Sequence, residues 1–165
     1  MLSQPLSLEF KKLQPRPILT VRRADGSTTW MKLYPGMALH DLAHYAIETE
    51  LQLSDAFYGM LANGHNIEDF EAPREQRLPA LLPANLPRVS LQVEHFVNLL
   101  MTELQNGAPI EGFITSLNQI LQEAELGHID ALTEAALNNI RAEIDRLRNR
   151  WRNLPVGESL TLRME

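Results

Sequence analysis

The chain predicts an α+β fold, a small and largely antiparallel sheet packed on one face by about five helices. Three observations carry this. Leu6 to Phe10 and Leu160 to Met164, at opposite ends of the chain, alternate apolar and polar residues with the period of a half-buried strand. An Asp25-Gly26 turn signal separates two further strand-like runs. Residues 88–154 repeat apolar side chains every three or four positions, as helices with one buried face do. A strand that follows a helical block returns most simply to the N-terminal sheet, so the 165 residues are expected to form one domain.

In order along the chain, residues 1–37 read as strands and a hairpin. Pro15 and Pro17 end the first strand, and Ile18–Ala24 and Ser27–Leu33 flank the turn. A two-residue turn at Asp25-Gly26 would set Val21 opposite Trp30, a favourable β-branched and aromatic pair. Residues 38–64 read as helices. The first spans about 38–52, and a shorter one follows with Ser54 as its N-cap and Asn63-Gly64 closing it. Residues 65–87 hold Pro73, Pro79, Pro83 and Pro87 without clear periodicity and read as a stiff connector. Within 88–154 three helices are expected, at about 88–105, 109–125 and 129–153, the second with Pro109 at its start. Residues 156–165 form the closing strand.

The residues that point to chemistry lie on the first helix. At 100° per residue, His40, His44 and Glu48 fall within about 80° of one another, one turn apart, on the rim of the apolar face. Two imidazoles and a carboxylate so placed suit a divalent metal with open positions for water. Asp41 stands beside them as a residue that could orient a ligand or act as a base, and His65 could swing in from a loop. The competing reading is that rim histidines pack their rings on the core and hydrogen-bond to a neighbouring Glu. His95 projects away from the Val93, Val97, Leu100 stripe and should face solvent. His128 should open the last helix.

His40-Asp41-Leu42-Ala43-His44 resembles the HExxH helix of zincin metalloproteases, with Asp41 where the general-base Glu stands. It is also similar to the His-Asp doublet of HD-domain phosphohydrolases, which need another His on an earlier helix. The first histidine here is His40. The longer run from His40 through Gly64 resembles small bacterial proteins with no assigned function, which implies no chemistry.

Composition narrows the classes. With 44% hydrophobic and 22% charged residues the chain reads as an ordinary soluble protein. It has no cysteine, which excludes disulfides, thiolate metal sites and cysteine nucleophiles and suits a reducing cytoplasm. No signal peptide is read at Met1–Pro5, and no apolar run approaches the ~20 residues of a membrane span. A net charge of −6 disfavours nucleic acid, whose binding depends on phosphate neutralisation. The arginines at 146, 148, 150 and 152 read as a solvated helix end with Glu143 and Asp145 as partners. No glycine-rich phosphate cradle and no complete nucleophile motif is present.

The leading expectation is therefore a non-enzymatic cytoplasmic binding or regulatory protein, forming a homodimer or meeting a protein partner through its helical layer. The alternative is a divalent-metal-binding protein, or a metal-dependent hydrolase, built on His40, His44 and Glu48.

Overall fold

The alternating runs form strands where their period places them, in a computed structural model that describes residues 1–165. They are β1 (Leu6–Lys11), β2 (Ile18–Arg23), β3 (Thr28–Lys32) and β4 (Ser159–Met164), in the order β3-β2-β1-β4, every pair antiparallel. The C-terminal strand thus closes on the N-terminal one, with Leu8 opposite Val21 on one side and Leu162 on the other. Leu6, Leu8, Phe10, Leu19, Val21, Leu160, Leu162 and Met164 are buried on a single face. Each such side chain contributes roughly 1.5–3 kcal/mol by leaving water. The opposite face is open, as an antiparallel sheet permits.

Six helices supply the other layer: α1 (Met37–Glu50), α2 (Phe57–Ala62), α3 (Ile67–Glu71), α4 (Arg88–Asn106), α5 (Phe113–Glu123) and α6 (Glu134–Asn153). The α1 helix lies against both α4 and α6, an arrangement that decides what its side chains meet. Lys12, just past β1, donates from Nζ to the carbonyls of Trp151 and Arg152 at 2.8 and 3.0 Å. It so caps the negative end of α6, while Phe10 meets the Trp151 ring edge-on at 6.4 Å. The expected ion pairs of that helix form, Arg146 with Glu143 at 2.7 Å and Arg148 with Asp145 at 2.9 Å.

Several expectations are corrected. The hairpin loop has three residues, not two. Gly26 adopts φ +85°, its N–H donates to the Arg23 carbonyl at 3.0 Å, and Arg23 N–H donates to the Ser27 carbonyl at 2.9 Å. This is a turn followed by a left-handed residue, which adds one residue to the connection. The register moves by one: Thr20, not Val21, faces Trp30, and Val21 pairs with Thr29. Trp30 therefore turns to the open face, 52% exposed. The connector is also more structured than its prolines suggest, holding α3 and two 3₁₀ turns at Arg74–Gln76 and Pro79–Leu81, with Ile67 and Leu81 buried.

Other boundaries shift for visible reasons. Pro109 does not start α5, because the buried Glu103 carboxylate holds the preceding turn. It accepts from Ile110 N–H at 2.8 Å and takes both prongs of Arg141 at 2.8 and 2.6 Å. The α6 helix begins only after Thr133, whose hydroxyl accepts from Ala136 N–H, so His128 lies before it and pairs with Asp130 at 2.8 Å. Ser54 is no cap: its hydroxyl turns to Asp55, and Ala56 precedes α2. Of the large hydrophobic side chains that remain exposed, Met1, Trp30, Tyr34, Leu78 and Val156, none belongs to α4, α5 or α6. The apolar stripes of α4, α5 and α6 face the core, with Val93, Phe96, Leu117, Leu121, Ile140 and Ile144 buried. No helix is long and apolar enough to cross a membrane.

Candidate functional site

A leucine- and alanine-rich core face carries α1 into the interior, and the histidines go with it. His44 and Glu48 are buried, 2% and 1% exposed, so they lie in the core and not on its rim. His40, one turn earlier, remains partly open. The two rings stand 5.0 Å apart between centroids, and the His44 ring packs against Phe57 at 5.4 Å.

Each imidazole is held from behind by a carboxylate. His40 Nδ1 donates to Asp41 at 3.2 Å, and His44 Nδ1 donates to Glu48 Oε1 at 3.0 Å. Glu48 also accepts the Tyr58 backbone N–H through Oε2 at 2.9 Å, serving the start of α2, which has no side-chain cap of its own. The Tyr58 phenol donates to the Asp41 carbonyl at 3.0 Å and locks the same corner. With both Nδ1 atoms engaged, both Nε2 atoms point the other way.

What they point at comes from α4. Glu94 sets Oε1 at 3.1 Å from His44 Nε2 and Oε2 at 3.8 Å from His40 Nε2. The ligand atoms of His40, His44 and Glu94 all lie within 4.8 Å of one another. The triplet assembled in space thus has Glu94 where the sequence reading put Glu48, which sits on the far side of the His44 ring. Asp41 lies 3.2 Å from His40 Nδ1. His65 stays outside, its ring against Phe70 at 6.4 Å and its carbonyl accepting from Arg23. His95, beside Glu94, is half-buried and not free in solvent. Glu94 was invisible to spacing on α1. Its only mark in the sequence is a position next to the buried Val93, on a helix long enough to span the layer.

The electrostatics follow from this geometry. Burial opposes charge on His44, but the hydrogen bonds it donates to Glu48 and Glu94 outweigh it and push the ring up to about 10. Burial also raises Glu48, against the pull of His44 and the Tyr58 N–H. For Glu94 burial raises as well, yet the hydrogen bond and charge of His44 leave its carboxyl below the usual range. Without a metal, His44 stands as an imidazolium between two carboxylates, with the Glu94 side chain 45% exposed and solvated. In that state the cluster is a proton-bridged network.

The same three residues open onto a cavity of about 290 Å³. The rest of its lining is largely apolar and aromatic, including Met37, Phe57, Phe70 and Tyr34. Comparison with family models, curated proteins and solved structures found no match.

Proposed function

We propose that the protein binds one divalent metal ion through His40 Nε2, His44 Nε2 and a Glu94 oxygen. One observation carries the reading: both imidazoles are backed at Nδ1 by a carboxylate, so both Nε2 atoms converge on one further carboxylate. That arrangement orients metal-binding histidines and raises their basicity. Two histidines and one carboxylate make a nitrogen and oxygen ligand set suited to zinc, manganese or iron(II), with positions left for water. Bonds of about 2.0–2.2 Å need donors roughly 3–3.5 Å apart; Glu94 Oε1 already lies 3.1 Å from His44 Nε2, and the ligand atoms of all three residues, within 4.8 Å of one another, must draw together on the ion. A metal must displace the His44 proton, so binding releases it. The reading makes the protein a binding module, and no catalytic step is assigned to the open positions. A cytoplasmic setting belongs to it, supported by the absence of cysteine.

A second reading has its own observation. The 3.1 Å contact from His44 to Glu94 also suits a proton, which would make the cluster a structural ion network in a non-metal binding protein. Metal analysis of protein purified without an affinity tag, with zinc and manganese titrations, separates the two. About one metal per chain is expected, with a melt raised in proportion to the logarithm of metal over Kd. Glu94→Ala is the informative variant, since its half-exposed side chain can be removed without opening the core. It should cost at least about tenfold in affinity, whereas His95→Ala should cost nothing. Unchanged melts with both metals would refute the metal reading.

A further inference from the structure

We infer that the cavity beside the histidine cluster binds a small organic cation with an apolar body, an ammonium compound of about the size of a substituted benzylamine. The inference goes beyond the metal reading and does not need it.

The cavity wall has an unusual charge balance. Asp41, Glu71 and Glu94 contribute three carboxylates against the single His44 imidazolium, and no lysine or arginine lines it. An anionic ligand such as a phosphate ester would find carboxylates and no guanidinium or ammonium group to receive it. A cation finds the reverse. Glu94 lines the cavity and its side chain remains open to solvent.

The remaining wall supplies what a soft cation uses. Phe57 and Phe70 stand edge to face at 5.4 Å, so the two rings present differently inclined surfaces to the same space. Tyr34 also lines this space, but its ring is already engaged by the Arg16 guanidinium, 4.2 Å from the centroid and held by the carbonyls of Leu33 and Lys32, which leaves Phe57 and Phe70 to meet the ligand. Aromatic faces around a carboxylate are how proteins bind alkylammonium groups, through attraction to the ring quadrupole with little demand for hydrogen bonds. A volume of about 290 Å³ suits a ligand of this size and excludes a large one. The apolar share of the lining requires a hydrocarbon body, since a bare ammonium ion would leave Met31, Met37 and Ile67 unsatisfied by any contact.

The test uses the full chain and three probes: benzyltrimethylammonium, tetramethylammonium and benzenesulfonate, titrated by ligand-observed NMR up to about 10 mM. A quaternary ammonium has no lone pair and cannot coordinate a metal, so its signal is independent of the metal site. Measurements run on chelator-treated and on zinc-loaded protein. Benzyltrimethylammonium should bind at least about tenfold tighter than either of the other probes in the chelator-treated protein. Zinc, where it binds, should weaken it by adding positive charge to the wall. Phe70→Leu, which keeps the apolar volume and removes the quadrupole, should weaken it about threefold to tenfold. Glu71→Gln should do the same, and Glu143→Gln on the other side of the molecule should not. Saturable binding of benzenesulfonate with equal strength would overturn the inference, as would no saturation by benzyltrimethylammonium. Equal binding by wild type and Phe70→Leu would show that the aromatic wall is not the recognition element.

Discussion

Glu48→Ala separates the structure most sharply from a surface placement of the same residue. The carboxylate is 1% exposed, receives His44 Nδ1 at 3.0 Å and Tyr58 N–H at 2.9 Å, and faces no water. Removing it strands a buried amide, at about 1–3 kcal/mol. It also takes one of two carboxylates from a buried imidazolium, and breaking such a pair costs about 3–5 kcal/mol when no partner remains. Glu94 remains as the second partner, so the combined loss should be about 3–5 kcal/mol. With a urea m-value of about 2 kcal/mol/M, the midpoint should fall by about 1.5–2.5 M at neutral pH. Glu48→Gln keeps one acceptor and should lose about 1–3 kcal/mol. Glu94→Ala, half in solvent, should stay within about 1 kcal/mol of the wild type in the absence of metal. Chemical denaturation of the three variants followed by circular dichroism reads all of this. If Glu48→Ala and Glu94→Ala shift the midpoint equally and slightly, Glu48 is solvated and the account of the cluster is wrong.

Two more perturbations test the frame around the site. Deleting residues 156–165 removes Leu160, Leu162 and Met164 from the core along with the ladder to β1. At roughly 1.5–3 kcal/mol for each side chain this approaches the whole stability of a domain, so the truncated chain should fail to show a cooperative melt. A melting temperature like that of the full chain would show β4 to be dispensable. Gly59→Ala should destabilise by about 2 kcal/mol or more although alanine favours helices, because the added methyl would meet the Ser54 carbonyl oxygen at 2.0 Å. A raised melting temperature would contradict that close approach.

The parts of this molecule that were legible in its sequence are those set by local periodicity. The strands follow from alternation, and α4 follows from Val93, Phe96, Val97 and Leu100, which recur every three or four residues on one buried face. The return of β4 to β1 follows because a strand needs an edge to pair with. What depends on how segments meet was not legible. The hairpin register turned on one left-handed glycine, and a single-residue slip moved Trp30 to the other face from the one its pairing with Val21 assumed. The triplet on α1 placed three side chains correctly along one helix, but what each side chain faces is decided by α4 and α2. Those neighbours assigned Glu48 to the Tyr58 amide and brought in Glu94. Glu103, which delays α5, and Thr133, which delays α6, act through contacts or caps that apolar periodicity does not encode.

Two polar side chains on the inner sheet face, Arg23 and Thr29, bear on how the cavity can open. Arg23 is buried without a carboxylate, and its guanidinium donates to the carbonyls of Leu61 and His65, at 2.6 and 2.5 Å, and to the Ser27 hydroxyl at 3.2 Å. Thr29 Oγ1 accepts the Ile67 N–H at 2.9 Å, the first amide of α3. The short helix that carries Phe70 is therefore tethered at its leading end to two adjacent strands. Swinging Phe70 outward as a rigid lid would take the His65 carbonyl from Arg23, leaving it Leu61 and Ser27, and would strip the Ile67 N–H of Thr29, at about 1–3 kcal/mol for each buried group left unpaired. Access to the cavity must then come from its Tyr34 side, or from rotation of Phe70 about its own bonds. Slow amide exchange at Ile67, matching that of the sheet interior and not of the neighbouring turns, is the signature such a tether leaves.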